Sequence, residues 1–180
     1  VTPGANAGTN GSISVCEDSS PCDLFPELNG TPDIGGVWTE SGNNVSNMFD
    51  PSTYTAGTYT LTYTIDLPPC IPVTADVIVT INPIVDAGSN GTHTVCEGEP
   101  TFNLFNYLTG SPDPGGNWTD VSSNPVSNMF DPSTSGSGAF VFTYTVLGTP
   151  PCIDATATVT VTVDPLPTVL ISGTTTITQG

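Results

Sequence analysis

The chain has 180 residues and a formal charge of −17 at pH 7, because it contains 17 Asp and Glu, one His, and neither Lys nor Arg. Binding to nucleic acid and to anionic membrane surfaces relies on basic side chains, so the composition excludes nucleic acid as a partner and disfavours anionic membrane surfaces. Only 9% of the residues are charged and 36% are hydrophobic, which favours a folded chain over a disordered one. The sequence has no apolar run of membrane-spanning length and no signal peptide, so we expect no direct membrane insertion and a mature or internal fragment.

An internal repeat organises the sequence. The recurring segments are Cys16-Glu17 with Cys96-Glu97, Gly30–Thr39 with Gly110–Thr119, Val45–Thr53 with Val126–Thr134, and Pro68–Cys70 with Pro150–Cys152. The third pair carries the phrase "VSNMFDPST" letter for letter in both copies. The spacing grows from 80 residues for the first pair to 82 for the last, which indicates two single-residue insertions. A fixed period of this kind indicates copies of one structural unit.

Four parts follow from the repeat. We predict the end of a preceding connector at 1–4, a first module at 5–83, a second module at 84–165, and the first strand of a third module at 166–180. The last assignment rests on "GTTTITQG" at 173–180, which aligns with "GTHTVCEG" at 91–98 and has Thr178 in place of Cys96. We therefore expect the parent polypeptide to be longer at both ends.

Each module begins with short predicted strands and ends with two long alternating ones. In "TYTLTYTI", four apolar residues from Tyr59 to Ile65 share one face and the threonines share the other, which is typical of a half-buried strand. The predicted strands are Ser12–Cys16, Val37–Glu40, Tyr59–Ile65 and Ala75–Ile81, with Phe140–Val146 and Ala157–Val163 as counterparts of the long ones. The stretches "DLFPELNG" and "NLFNYLTG" fit either a strand or a short helical turn. Short strands separated by Gly, Pro and Asn turns predict an all-β fold of antiparallel β-sandwich modules.

The five cysteines predict one disulfide in each module. Cys16 and Cys70 hold the same places as Cys96 and Cys152, so we expect the bonds Cys16–Cys70 and Cys96–Cys152, each tying the first strand to the loop before the last strand. Each bond would contribute about 4 kcal/mol to the free energy of unfolding in the chain-entropy model. Cys22 has no cysteine counterpart, which leaves it as a free thiol, an intermolecular link or an alternative partner of Cys70. Disulfides indicate an oxidising, extracellular setting.

Little in the sequence supports catalysis. His93 is the only His, Ile13 stands in its place in the first module, and the chain lacks the Lys and Arg of Schiff-base and phosphate-clamp chemistry. We expect His93 to be an exposed strand residue, and we predict that the chain is not an enzyme and needs no cofactor.

Recurrent acids beside turns are the candidates for a calcium site, since Ca²⁺ takes carboxylate and carbonyl oxygens from flexible loops. The candidate ligands are Asp33, Asp50, Asp113 and Asp131. No EF-hand or Gly-rich calcium repeat is present, so the simpler interpretation is that these carboxylates cap turns, and no firm metal site is predicted.

Six large aromatic residues are the predicted core anchors. They are Trp38, Phe49 and Tyr63 in the first module and Trp118, Phe130 and Tyr144 in the second. The alternative for the two tryptophans is a platform on which a sugar stacks. The repeated phrase is predicted to be a structural corner, in which Phe plugs the edge of the core and "DPST" reverses the chain.

Together these motifs resemble a known group. The order "DLF..L.G.PD.GG.W", "FDP", "G.Y.YTY", "PC", "A.VTV.V" runs through nearly all of both modules. It is similar to the Ig-like repeat modules of giant Bacteroidota surface adhesins, of the gliding-motility type exported by type IX secretion. The resemblance implies an extracellular, rod-like tandem array with Ig-like modules. Because the second Cys of each module lies in a Pro-Pro-Cys loop, we expect an Ig-like sandwich without the inter-sheet disulfide of antibody domains.

We therefore expect a non-enzymatic structural or adhesive segment, a stalk or filament, of a large secreted or cell-surface bacterial adhesin. Its expected partners are the neighbouring repeat modules, identical subunits joined by strand exchange, and surface glycans. The alternative functions are a carbohydrate-binding accessory module of a secreted enzyme and a subunit of an extracellular filament joined by strand exchange.

Overall fold

A computed structural model describes residues 4–168 of the chain. It forms two compact units, one of residues 4–85 with Leu147–Ala155 and one of Asp86–Val146 with residues 156–168. The loop Leu147–Ala155 of the second repeat is thus grouped with the first unit. The predicted strand at 166–180 lies, from residue 169 onward, outside the described part. Within residues 4–168, no helix is long and apolar enough to cross a membrane.

The first unit contains seven strands. They are β1 (Gly11–Cys16), β2 (Cys22–Asp23), β3 (Val37–Glu40), β4 (Asn43–Val45), β5 (Met48–Phe49), β6 (Gly57–Ile65) and β7 (Val73–Asn82). Five form one sheet in the order β1-β7-β6-β3-β4, and β2 pairs with β5 in a second sheet. One-turn 3-10 helices at Phe25–Glu27 and Pro51–Thr53 connect the two sheets. The stretch "DLFPELNG" therefore combines the two alternatives, since β2 runs into a helical turn.

The second repeat follows the same plan. Its strands are β8 (Gly91–Cys96), β9 (Phe102–Asn103), β10 (Asn117–Thr119), β11 (Pro125–Val126), β12 (Met129–Phe130), β13 (Gly138–Val146) and β14 (Ala155–Asp164). The sheet order is β11-β10-β13-β14-β8, and β9 pairs with β12. Helical turns are at Leu104–Tyr107 (3-10) and Pro132–Ser135 (α1). The chain is therefore all-β and built of sandwich modules, as the alternation predicts, and the modules are Ig-like, as the resemblance implies.

The core of the first unit lies between its two sheets. Alternate residues of β6 and β7 point inward, so Leu61, Tyr63, Val77 and Val79 are at most 2% exposed while the intervening threonines stay partly open to water. The smaller sheet covers them with Phe49, which is 3% exposed. β-branched and aromatic residues suit such a half-buried pleated surface, so the sequence alternation and the burial agree.

One pairing departs from the predicted antiparallel arrangement. β1 lies parallel to β7, with Gly11 opposite Val77 and Cys16 opposite Asn82. In the second repeat β8 is likewise parallel to β14. Each repeat thus places its first and last strands side by side and pointing the same way.

This parallel pairing overturns both predicted disulfides, Cys16–Cys70 and Cys96–Cys152. Cys16 lies at the end of β7, opposite Asn82, whereas Cys70 lies in the loop before β7 begins. Ten residues of strand separate those two ends by about 30 Å, far beyond the ~7 Å that a disulfide allows between Cα atoms. Cys96 and Cys152 are separated along β14 in the same way.

The structure pairs Cys16 with Cys152, whose Cα atoms are 5.4 Å apart. The first unit thereby includes the Pro-Pro-Cys loop of the second repeat, where Asn82 Nδ2 also donates a hydrogen bond to the Pro150 carbonyl at 2.9 Å. The prediction of one bond per module is therefore wrong, since Cys22, Cys70 and Cys96 form no disulfide in this structure.

A tight backbone contact generates the first testable prediction. A Cβ atom at Gly91 would overlap the carbonyl oxygen of Tyr107, whereas one at Gly98 would meet only Leu166 at an ordinary 3.6 Å. We expect Gly91→Ala to lower the free energy of unfolding by about 3 kcal/mol, because the backbone must shift to admit the methyl group. Gly98→Ala is the matched control and should change it by less than about 0.5 kcal/mol. Urea denaturation measures both, and equal midpoints for the two variants would contradict the packing described here.

Candidate functional site: the Pro-Asp-x-Gly-Gly corner and its groove

A buried tyrosine holds the Pro-Asp-x-Gly-Gly corner of each repeat. The Tyr63 hydroxyl donates a hydrogen bond to the Asp33 carbonyl at 2.7 Å and accepts one from the Gly36 amide at 2.8 Å. Tyr63 itself lies on β6 and is 2% exposed. A Cβ atom at Gly36 would lie 2.5 Å from the tyrosine ring, so only glycine fits there. The "GG" of the motif is thus required by close approach of the backbone to this ring.

The second repeat reproduces the corner with the same distances. Tyr144 donates to the Asp113 carbonyl at 2.7 Å and accepts from the Gly116 amide at 2.8 Å. The recurrence of both hydrogen bonds shows that the motif is built around the phenol, a role that the alternation of the strand does not reveal.

Two further aromatic rings pack against each of these tyrosines. Trp118 lies 5.0 Å from the Tyr144 ring, and Phe105 meets it edge-on at 5.4 Å. The corresponding distances in the first repeat are 5.1 Å for Trp38 and 5.6 Å for Phe25. Both tryptophans are buried, at 5% and 6% exposure, so neither presents a face on which a sugar could stack.

An open groove runs beside this corner in both repeats. In the second repeat it has a volume of about 530 Å³, and its walls include Phe105, Trp118, Tyr144, Asn117 and Asn128. The groove of the first repeat, of about 490 Å³, occupies the equivalent place. The half-buried Phe25 and Phe105 belong to these walls, and the recurring "LF" of the two modules is the sequence signal that could have identified them.

Two of the candidate calcium ligands fix the connectors that enter the repeats. A carboxylate oxygen of Asp33 accepts a hydrogen bond from the Asn6 amide at 2.9 Å. Asp113 does the same for the Asp86 amide at 2.8 Å. In a chain without Lys or Arg, these carboxylates accept hydrogen bonds from backbone N–H groups, so the acids hold the turns together.

The other two candidates, Asp50 and Asp131, cap the helical turns of the repeated phrase. Asp50 Oδ1 accepts from the Ser52 amide at 3.1 Å and from its hydroxyl at 2.7 Å, and Asp131 binds Ser133 in the same way. Such capping satisfies amides that a helix leaves unpaired at its start. The preceding phenylalanines, Phe49 and Phe130, are buried at 3% and 8% exposure.

No group of three or more His, Cys, Asp or Glu side chains in residues 4–168 is arranged to hold a metal ion. The four candidate acids are spread over two kinds of turn in each repeat. Calcium binding therefore remains a prediction from the sequence alone.

His93 is half-buried and not exposed as predicted. Its ring stacks on Tyr107 at 3.8 Å and meets Phe102 edge-on at 4.9 Å. Because both stacking partners are aromatic, neither orients the imidazole as a carboxylate does in a catalytic triad.

Three groups in the described residues have a displaced pKa. Burial, reinforced by Glu27, raises the pKa of the Cys22 thiol, so Cys22 is a poorer nucleophile than an ordinary cysteine. Burial and a hydrogen bond to Glu40 raise the pKa of Tyr54. Hydrogen bonds from Asn124 lower the pKa of Asp120 in the turn between β10 and β11. None of these groups lies in the two grooves.

Comparison with known proteins supplies fold-level likenesses. No protein-family model matches the chain, and no curated protein sequence matches it significantly. Among solved structures, an I-band fragment of titin has a TM-score of 0.48 at 11% identity, covering 87% of this chain and 64% of that one. The four N-terminal Ig domains of Dscam1 have a TM-score of 0.47 at 15% identity, covering 89% and 44%.

A third solved structure is the Bacteroides ovatus protein SGBP-B of a mixed-linkage glucan utilization locus, in complex with a heptasaccharide. Its TM-score is 0.31 at 18% identity, covering 90% of this chain and 46% of that one. In all three comparisons the chain spans less than two thirds of the other structure's length.

The corner tyrosine can be tested directly. Replacing Tyr144 by Phe keeps the ring and removes the hydroxyl that serves both the Asp113 carbonyl and the Gly116 amide. We expect the free energy of unfolding to fall by about 2 kcal/mol, because two part-buried backbone groups lose their partner. Tyr107→Phe, on the same repeat, keeps its stacking on His93 and is the control. If urea denaturation shows equal effects for both variants, the hydroxyl does not hold the corner.

Proposed function

We propose that the chain is a non-enzymatic, load-bearing repeat segment of a large secreted or cell-surface adhesin. The observation that carries this proposal is the parallel pairing of the first and last strands in each repeat. The chain enters β1 at the Gly11 end and leaves β7 at the Asn82 end, so in the reduced chain tension pulls the two strands in opposite directions. All the ladder hydrogen bonds of the pair are then loaded together in shear, whereas peeling would break them one after another. With the Cys16–Cys152 bond formed, tension passes from Cys16 directly to Cys152.

The polar side chains support the same function. The recurrent acids and tyrosines of both repeats bind their own backbone at turns and corners. Side chains whose hydrogen bonds go to their own backbone stabilise the fold of a structural module. The disulfide Cys16–Cys152 fits an oxidising, extracellular location.

The finer assignment rests on the sequence motifs. We propose a stalk or filament of the Bacteroidota gliding-motility type, exported by type IX secretion, with neighbouring repeats as its principal partners. Identical subunits joined by strand exchange, or surface glycans, would be additional partners.

Single-molecule pulling between the two ends of the chain tests the load-bearing proposal. In reductant we expect discrete unfolding steps, one for each repeat. Without reductant the bond closes a loop with a sequence separation of 136, so the fully stretched chain should be shorter by roughly 450–490 Å. Cys152→Ser should behave like the reduced chain, and Cys22→Ser like the oxidised one.

A change of pulling geometry supplies the decisive control. A handle at Ile71, which is 87% exposed in the loop before β7, together with one at the N-terminal end of the chain, peels β1 from β7. In the reduced chain this geometry should unfold the first repeat at a clearly lower force than pulling between the ends. Equal forces in the two geometries would contradict the shear mechanism.

A carbohydrate-binding module is the second candidate function, because equivalent grooves with exposed amides recur in both repeats. If the grooves bind sugars, Asn117→Ala and Asn128→Ala should remove the site of the second repeat and so halve the stoichiometry of neutral oligosaccharide binding in calorimetry. Asn106→Ala, an exposed change outside the groove, should leave it intact. Trp118→Ala is unsuitable, since losing a buried Trp would destabilise the repeat by about 3–5 kcal/mol. No binding across a glycan panel would eliminate this candidate.

A further inference from the structure

Two cysteines that form no disulfide in this structure occupy the same positions as the two that do. Cys96 ends β8 as Cys16 ends β1, and Cys70 follows a Pro-Pro pair as Cys152 does. Cys70 and Cys96 are both exposed, whereas Cys16 and Cys152 are bonded to each other. The bonded pair therefore indicates the kind of disulfide that each exposed cysteine can form.

The backbone around each exposed cysteine matches that of its bonded counterpart. At the strand end, the Glu97 amide donates to the Asp164 carbonyl at 3.0 Å, as the Glu17 amide donates to the Asn82 carbonyl at 3.2 Å. Cys96 lies opposite Asp164 in the parallel register. The strand end that carries the cysteine therefore has the same backbone hydrogen bond and the same register in both repeats.

The Pro-Pro-Cys loops match in the same way. The Cys70 amide donates to the Leu67 carbonyl at 2.9 Å, and the Cys152 amide to the Thr149 carbonyl at 2.9 Å. Both loops join the two long strands of their repeat, so each repeat carries a strand-end cysteine at one end of its last strand and a loop cysteine at the other.

We propose that Cys96 and Cys70 are the two halves of an intermolecular or inter-repeat disulfide that copies Cys16–Cys152. The strand-end Cys96 of one copy bonds to the Pro-Pro-Cys loop of another repeat of this kind, and Cys70 receives a strand-end cysteine in turn. This inference deepens the proposed function of a load-bearing array, on which it rests. For the isolated chain, the repeats that remain available are those of a second copy, and Cys70 of that copy is the expected partner.

The geometry makes such linkage directional. Because a strand-end cysteine bonds to a loop cysteine, two copies meet through different parts of their surfaces. Such a heterologous contact builds an open chain of copies. Cys22 does not compete, because it is part-buried and its counterpart is Phe102. The bond forms when the two thiols lose two protons and two electrons to a low-molecular-weight disulfide such as oxidised glutathione, which is reduced to two thiols.

Complementary variants of the full 180-residue chain test the proposal in a glutathione redox buffer. We expect the native chain to form a ladder of covalent multimers on a non-reducing gel. Cys70→Ala and Cys96→Ala should each remain monomeric alone. Mixed together they should form a dimer and nothing larger, because one variant supplies Cys96 and the other supplies Cys70.

Peptide mapping identifies the bond. Trypsin has no site in a chain without Lys and Arg, so pepsin at low pH, which also suppresses disulfide exchange, is the suitable protease. The mixed dimer should yield a Cys70–Cys96 peptide between chains and Cys16–Cys152 within each chain. Cys22→Ser is the control and should leave the native ladder unchanged.

Several results would overturn the proposal. They are a Cys96–Cys96 dimer of Cys70→Ala alone, a Cys70–Cys96 bond within one monomer, a linkage through Cys22, and no dimer in the mixture. Each is separable from failure of the proposed function, because the pulling experiment measures shear resistance in reductant and does not depend on any bond between copies.

Discussion

Parallel pairing of the first and last strands is the constraint on which each repeat depends. Six residues of β1 lie beside the end of β7, so the chain enters and leaves the sheet at opposite ends of one ladder. That geometry places the strand-end cysteine and the Pro-Pro-Cys loop at opposite ends of β7. The direction of tension, the separation of the cysteines and the directional character of a bond between repeats all follow from it.

The sequence predicts the strands well because one face of each is buried. Alternation in β6, β7, β13 and β14 reports that burial directly, and the structure confirms the all-β sandwich. Alternation does not report the direction in which two strands pair, since a parallel and an antiparallel neighbour bury the same residues. The equivalent places of the cysteines in the two modules predict one disulfide within each module, and the parallel register excludes that prediction.

At the Pro-Asp-x-Gly-Gly corner, the sequence predicts the burial of the tyrosine but not its hydrogen bonds. Burial of Tyr63 and Tyr144 is readable from their place in an apolar row. The two hydrogen bonds of each hydroxyl are not, because their partners are backbone groups about 30 residues away. The paired glycines of the motif are the only sign of that contact in the sequence, and a glycine pair is equally typical of an ordinary turn.

The absence of basic residues determines how the carboxylates are used. A chain of charge −17 has no Lys or Arg side chain to pair with them, so backbone amides and hydroxyls become their partners. Asp33, Asp50, Asp113 and Asp131 all follow this rule, and each stabilises a turn that positions a core aromatic. The acids that suggested calcium from the sequence thus have a structural role in each turn.

The strand ladders and the disulfide resist tension in different ways: the ladders determine the unfolding force, and the disulfide determines the extension of the chain. In the reduced chain the parallel ladder of a repeat sets how hard it must be pulled before it opens. The Cys16–Cys152 bond, once formed, carries the tension past residues 17–151 and limits how far the chain lengthens. Both Cys70 and Cys96 lie inside that loop in the sequence. A bond from Cys96 to a further repeat would close a loop that overlaps the first one. In an array linked in this way, the bonds carry the tension and limit extension, so the length of the array does not depend on the stability of its repeats.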